Sequence, residues 1–262
     1  MTATGTLETL ILLAIVGMLV ILRFDARRFG AAEYDDKEAP GGWRTWLRRL
    51  SWYVLSFALI IVVYFVHPLP LSTLHLQIGS DRLIALISGL ALGGLGISYA
   101  LAYAWWRYRE LRLPPLHRYP AGVLNAIATA FIDEAAFRGI LLGLLVASNW
   151  PVQYAIAFQA VLYAMSTRLA GKGKPMGMLV LSLGLGLIAG WLTLQTGGIG
   201  AAFLGHVLTR FAVFIATGHA GQLRPTTTEE EIEERAESSQ LTPVGWEVVG
   251  DTDSSGPRDY RW

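Results

Sequence analysis

The chain has 262 residues, 53% of them hydrophobic and only 16% charged, and its mean hydropathy of +0.43 lies far from that of an average soluble domain. With no cysteine it can hold no disulfide framework, no thiolate nucleophile and no cysteine metal site. A formal net charge of +1 argues against a nucleic-acid partner.

A hydrocarbon core of about 30 Å asks for about 20 apolar residues per helix, and such stretches recur along most of the sequence. The fold expected is all-α, a polytopic transmembrane helix bundle of about seven spans around an intramembrane polar cavity. In chain order the spans run over about Leu7 to Leu22, Trp52 to Val66, Leu83 to Trp106, Gly122 to Ser148, Pro151 to Thr167, Met176 to Leu194 and Ile199 to Thr217. The first lacks a basic lead-in and a small-residue cleavage site, and its arginines (Arg23, Arg27, Arg28) follow the apolar run, so it reads as a retained span. The second is short and has room to extend toward Leu71.

After the first span, WRTWLRRLSW places Trp43, Trp46, Leu47 and Leu50 at helical spacing with Arg44 and Arg48 on another side. It is either an amphipathic helix lying in the interface or a helical lead-in to the second span. Lysine and arginine concentrate after spans one, three and five, while His67 to Ser80, Asn149 to Trp150 and Gln195 to Gly198 have neither. By the positive-inside rule the N-terminus lies outside and the C-terminal tail is cytoplasmic. Small residues four apart, Gly89 with Gly93 and Ser182 with Gly186 and Gly190, suit close helix packing. Beyond Gly221 the acidic TTTEEEIEERAESSQ stretch reads as a solvated, mostly disordered tail in which Thr228 could cap a short helix. The organisation is thus residues 1–119 as an N-terminal membrane region, 120–217 as the core and 218–262 as the tail.

Inside the spans stand residues that lipid does not tolerate. An ionisable side chain at mid-bilayer costs about 2.5 to 3.5 kcal/mol on insertion measures, so it faces the bundle interior and finds a partner. Asp133, Glu134 and Arg138 lie in the fourth span, His206 and Arg210 in the seventh. At helical rise Asp133 is roughly 20 Å from Pro120 and His206 roughly 12 Å from the opposite end of its own helix, depths at which the two meet. Glu134 and Arg138 at i and i+4 favour an ion pair. Asp133 points about 100° away and needs another partner, Arg210 or His206. Such a set either only ties helices together or forms a cavity where a carboxylate activates water and donors stabilise an oxyanion.

The stretch DEAAFRG, Asp133 to Gly139, followed by GLGLIAGWLTLQTGGIGAAFLGHVLTR, Gly184 to Arg210, resembles the CAAX protease and bacteriocin-processing family of intramembrane proteases, also called the Abi family and related to CAAX prenyl protease 2. The resemblance covers about residues 120 to 217. Its motifs are Glu-Glu-x-x-x-Arg, Phe-x-x-x-His and His-x-x-x-Asn or Asp. It implies an intramembrane endopeptidase, a metalloprotease or a glutamate-dependent one. In active relatives the first Glu and the second-motif His activate water, and the third-motif His and Asn stabilise the oxyanion.

Carried over, the catalytic candidates are Asp133, Glu134, Arg138, Thr167, His206 and Arg210. Asp133 stands for the first Glu and is shorter by one methylene, and a misplacement of about 1 Å can cost about 100-fold in rate. Thr167 stands where the second-motif His belongs, with no histidine between His117 and His206; a hydroxyl binds water but does not titrate near neutral pH. Arg210 replaces the third-motif Asn. The resemblance leaves zinc conceivable, but the missing histidine and the nearby arginines disfavour it, so no cofactor is expected. His67, His75, His117 and His219 fall at span ends or in loops and read as surface residues. The expected function is a family member with proteolysis impaired or absent, or else a non-catalytic scaffold or protecting partner of another membrane protein. Its partners would be membrane lipid and an unknown membrane protein or peptide, in a membrane of prokaryotic origin by the family's distribution.

Overall fold

The computed structural model describes residues 3–29, 42–109, 111, 113, 114, 116, 119–169, 176–217, 247–248 and 260–261. Two compact units divide the chain, Met1–Arg224 and Pro225–Trp262. In the second, Glu247–Val248 pairs antiparallel with Tyr260–Arg261. The acidic stretch read as a disordered tail, with its Thr228 cap, lies outside the described residues.

The first unit is helical: α1 (Ala3–Phe24), a 3-10 turn (Ala26–Phe29), α2 (Gly42–Val66), α3 (Pro70–Thr73), α4 (Arg82–Tyr108), α5 (Tyr119–Asp133), a π-helix (Glu134–Leu141), α6 (Leu142–Ala147), α7 (Val152–Leu169), α8 (Met176–Thr196) and α9 (Gly200–Thr217). The long rods fall where the sequence places its spans, and α5, the π-helix and α6 together make the fourth. Among the described residues three stretches are long and apolar enough to cross a membrane, Trp46–Val66, Arg82–Trp106 and Leu179–Thr196, and two shorter ones are apolar, Leu10–Phe24 and Gly200–Ala216. The fourth rod, whose α5 ends after 15 residues where the π-helix begins, is not among them and carries Asp133, Glu134 and Arg138.

Side chains are distributed inside out relative to a water-soluble protein. Leu83, Leu86, Leu90 and Leu95 of α4 face outward, as do Val54 and Phe65 of α2, while Asp133, Glu134, Arg138 and Arg23 are buried. Lipid accepts leucine as readily as a core does but not charge, so this is the arrangement of an integral membrane protein.

The segment around Trp43 and Trp46 is the start of α2 itself, which settles it as a lead-in to the span. The extension of that span toward Leu71 does not occur. His67 Nδ1 accepts the Leu69 amide at 3.1 Å, and Pro70 opens the separate α3, a position where its missing N–H is no loss.

Close packing follows the small residues. Gly89 and Gly93 of α4 lie against Ala201, Leu204 and Leu208 of α9, and a methyl at Gly96 would land on Thr209. On the other side Gly186 of α8 touches the Ala160 backbone, while buried Gln159 donates to the Gly186 carbonyl at 2.7 Å. The α8 helix ends at Gly197 with φ 72, and the Gly198 amide reaches back to the Thr193 carbonyl at 3.0 Å. A left-handed residue with a six-to-one bond is a Schellman stop, which glycine adopts without penalty.

That stop is clasped by the connection before α4. The Ser80 amide donates to Thr196 O at 2.8 Å, the Ile199 amide to His75 O at 3.0 Å and the Gly200 amide to Ile78 O at 3.1 Å. Gln77 Nε2 adds a bond to Gly197 O at 2.7 Å. His75, expected as a surface residue, is therefore half-buried and holds a left-handed φ of 51.

Candidate functional site

The site is built on the segment where α5 widens into the π-helix. Helices with i to i+5 bonding are uncommon and recur at functional positions. Here the widened turns contain Ala135, Ala136 and Gly139, and every residue from Ile132 to Gly143 is buried. The small side chains let neighbouring elements approach, since a methyl on Gly139 would meet Leu76 and one on Gly143 the Thr73 carbonyl. Asp133 and Glu134, which are 0% and 1% exposed, consequently face protein on all sides.

Glu134 is the hub. Its Oε1 lies 2.7 Å from His206 Nδ1 and 3.3 Å from Arg138 Nη1. The pairing with Arg138 is the one the i, i+4 spacing predicts. The short contact is met by an N–H on Nδ1 donating to the carboxylate. Nε2 is then left to accept the hydroxyl proton of Tyr163, 3.2 Å away, since a neutral imidazole offers one donor and one acceptor. The Arg138 guanidinium also sits 4.0 Å from the centroid of the Tyr163 ring, a cation–π contact. Glu134 Oε2 is buried without a hydrogen-bond partner among the described residues.

Asp133 turns away from Glu134, as the helical geometry requires, but not toward α9. Its Oδ1 is 2.8 Å from Arg23 Nε, with side chains 0% and 2% exposed. The expectation that Arg210 or His206 partners Asp133 is thus corrected: His206 turns to Glu134, and the cation beside Asp133 comes from the end of α1. Arg23, assigned by sequence to the loop after the first span, is a buried member of the site. The hydropathy pattern ends there, so an arginine just past an apolar run reads as a loop charge. Its signal was the buried stripe Leu12, Ile15, Val16, Leu19, Leu22, which carries the inward face of α1 as far as the arginine.

Tyr163 was missed as well. It sits four residues before Thr167, the position expected from the resemblance to stand for the second-motif histidine, and it is Tyr163 whose hydroxyl meets His206. Thr167 is buried on α7 one turn further on. Arg210 lies one turn from His206 on α9, and its Nη2 is 3.5 Å from Asn125 Oδ1. Asn125 Nδ2 donates to the Tyr53 hydroxyl at 2.8 Å, which in turn stands 3.1 Å from Thr129 Oγ1. Asn125, Thr129 and Asp133 are spaced four apart on α5, so a polar stripe leads along one helix face from Arg210 to the acids.

Among the described residues no group of three or more His, Asp or Glu side chains is arranged to hold a metal ion. Most of the atoms that the family resemblance would offer to one have other contacts: Asp133 Oδ1 with Arg23, Glu134 Oε1 with Arg138 and His206, and the second nitrogen of His206 with Tyr163.

A helical membrane bundle with a buried charge cluster at the junction of an α- and a π-helix is the class this fold and site define. Residues 115–212 match the family model described as Type II CAAX prenyl endopeptidase Rce1-like. Asp133, Glu134, Arg138, Thr167, His206 and Arg210 all lie within that matched segment, and the match is consistent with the CAAX protease and bacteriocin-processing family. No curated protein and no solved structure matches the chain.

Proposed function

We propose that this CAAX-protease-like membrane protein has an intramembrane centre impaired or inactive in proteolysis, and that it acts as a non-catalytic scaffold or protecting partner for another membrane protein. The observation that carries this reading is the state of the two acids. Each is paired with a buried arginine of the same chain, Asp133 with Arg23 and Glu134 with Arg138, while position 167 offers a hydroxyl in place of a titrating imidazole. A carboxylate held against a guanidinium is committed to that ion pair and is less available to water.

The same pairing supports a centre without a metal. Each acid already has a cation in contact with it. Lipid, with an unidentified membrane protein or peptide, is the partner expected of such a bundle, and nucleic acid is not. The lysine and arginine distribution supports an outside N-terminus and a cytoplasmic C-terminus, in a prokaryotic cell membrane by the family's distribution.

One observation favours a second reading, an active intramembrane endopeptidase. Among the described residues Glu134 Oε2 is a buried acceptor without a hydrogen-bond partner, a place where a water could be held and activated. Glu134 would then be the base, Arg138 its positioning residue, Thr167 the group orienting the water, and His206 with Arg210 the oxyanion donors.

The deciding experiment is a proteolysis assay on purified protein with candidate membrane substrates, comparing wild type, Glu134→Gln and Thr167→His. The expected result is no cleavage by wild type or Glu134→Gln. Cleavage by wild type that vanishes in Glu134→Gln would overturn the impaired reading in favour of the endopeptidase.

A further inference from the structure

We propose that Arg23 is a built-in counter-ion which withdraws Asp133 from chemistry, so that α1, outside the matched segment 115–212, completes the centre as an autoinhibitory element. The inference rests on and deepens the reading of an impaired centre, since it names the contact that disables the first motif carboxylate.

The contact is direct and fully desolvated. Arg23 Nε and Asp133 Oδ1 are 2.8 Å apart, at 2% and 0% exposure, so neither charge has water to fall back on. The end of α1 is also held in place independently of the ion pair. Trp52, 0% exposed, donates its indole N–H to the Leu22 carbonyl at 2.8 Å, fixing the residue next to Arg23. The stripe Leu12, Ile15, Val16, Leu19 and Leu22 seats α1 in the same core cluster as Phe137 and Ile140 of the π-helix. A cation in the last turn of α1 further suits the negative end of that helix. Arg23 is thereby delivered by packing to the acid, and does not wander in from a loop.

Charge balance says what the residue does there. Asp133 and Glu134 bring two negative charges; Arg138 contacts Glu134 and Arg23 contacts Asp133, while Arg210, the third buried arginine among the described residues, is directed to Asn125. Without Arg23 the Asp133 carboxylate would be an uncompensated buried charge, which takes up a proton or a cation. With Arg23 in contact its carboxylate is occupied by a cation of the same chain.

Dicyclohexylcarbodiimide, an apolar reagent that enters membranes and modifies carboxyl groups able to carry a proton, reads this state when followed by peptide fragmentation and mass spectrometry of the full-length chain in detergent. In wild type, Asp133 is expected to stay protected. In Arg23→Gln, which removes the charge and keeps hydrogen-bond donors, its modification should rise several-fold, and in Arg23→Lys it should remain low. Equal modification of Asp133 in wild type and Arg23→Gln overturns the proposal. Thermal unfolding gives a second measure: the Arg23→Gln/Asp133→Asn double variant should regain most of the stability that Arg23→Gln loses, and losses that simply add would overturn it as well. The two readings fail separately. Cleavage by wild type removes the impaired centre whatever the labelling shows, whereas unchanged labelling removes the counter-ion whatever the assay shows.

Discussion

Glu134 accepts from His206 and pairs with Arg138 through one oxygen, while among the described residues the other oxygen has no hydrogen-bond partner. Such a residue is expensive to delete, because its partners are buried and keep their charge or dipole. Glu134→Ala should therefore destabilise the protein by about 3 to 5 kcal/mol, the cost of breaking a buried pair from one side, read from denaturant or thermal unfolding in micelles. Tyr163→Phe tests a smaller element of the same cluster. It keeps the ring beneath Arg138 and removes only the hydroxyl that meets His206, so a loss of about 0.5 to 1.5 kcal/mol is expected. A loss as large as that of Glu134→Ala would mean that the hydroxyl holds more of the network than His206 alone. The charged residues within the spans were legible from sequence, since hydropathy makes each an anomaly. Tyr163 was not, because an aromatic residue in an apolar helix is unremarkable until its hydroxyl is placed.

Pairs of helices are set by what is missing from their faces. The α4 and α9 helices approach through Gly89, Gly93 and Gly96, where added methyl groups would strike Ala201, Leu204, Leu208 and Thr209. Gly96→Val should cost about 1 to 3 kcal/mol from overpacking, whereas Gly94→Ala, with open space around it, should be neutral or gain about 0.5 to 1 kcal/mol from the better helix former. Thermal melts of the two variants separate close approach from simple helix propensity. Sequence reading found Gly89 and Gly93 by their four-residue spacing and passed over Gly96, three residues on, which shares the face equally well. The π-helix had no sequence signal at all. DEAAFRG reads as an ordinary amphipathic α-turn, and the wider winding becomes visible only with neighbours packed around its small residues.

The bundle is closed at one end by the clasp of residues 75–80 on the turn between α8 and α9. That clasp joins parts of the chain more than a hundred residues apart in sequence, so its integrity reports on the assembly of the whole helical unit. His75 gives it a pH dependence. Burial, only partly offset by the imidazole's interaction with the Gly197 backbone, holds its pKa below the usual histidine value. At pH above that value the side chain is neutral whether the clasp is closed or open. As pH falls through about 6.5, the opened state takes up the proton first, so the closed state loses stability. Amide hydrogen exchange at Ser80, Ile199 and Gly200 should accelerate at mildly acidic pH, and His75→Gln should flatten that dependence. A pH profile unchanged by the substitution would assign the effect elsewhere.

By itself, the sequence determined a membrane bundle, the positions of its rods and the presence of buried ionisable groups that must find partners. These follow from local quantities, namely apolar length, helical period and the cost of charge in hydrocarbon, each of which a short window contains. The partners were decided only by tertiary structure. An acid on α5 does not encode whether α9 or α1 will supply its cation, because that depends on how helices far apart in sequence are seated. In this molecule the Trp52 bond to Leu22 and the buried stripe of α1 bring Arg23 to Asp133, and His206 goes to Glu134 in its place.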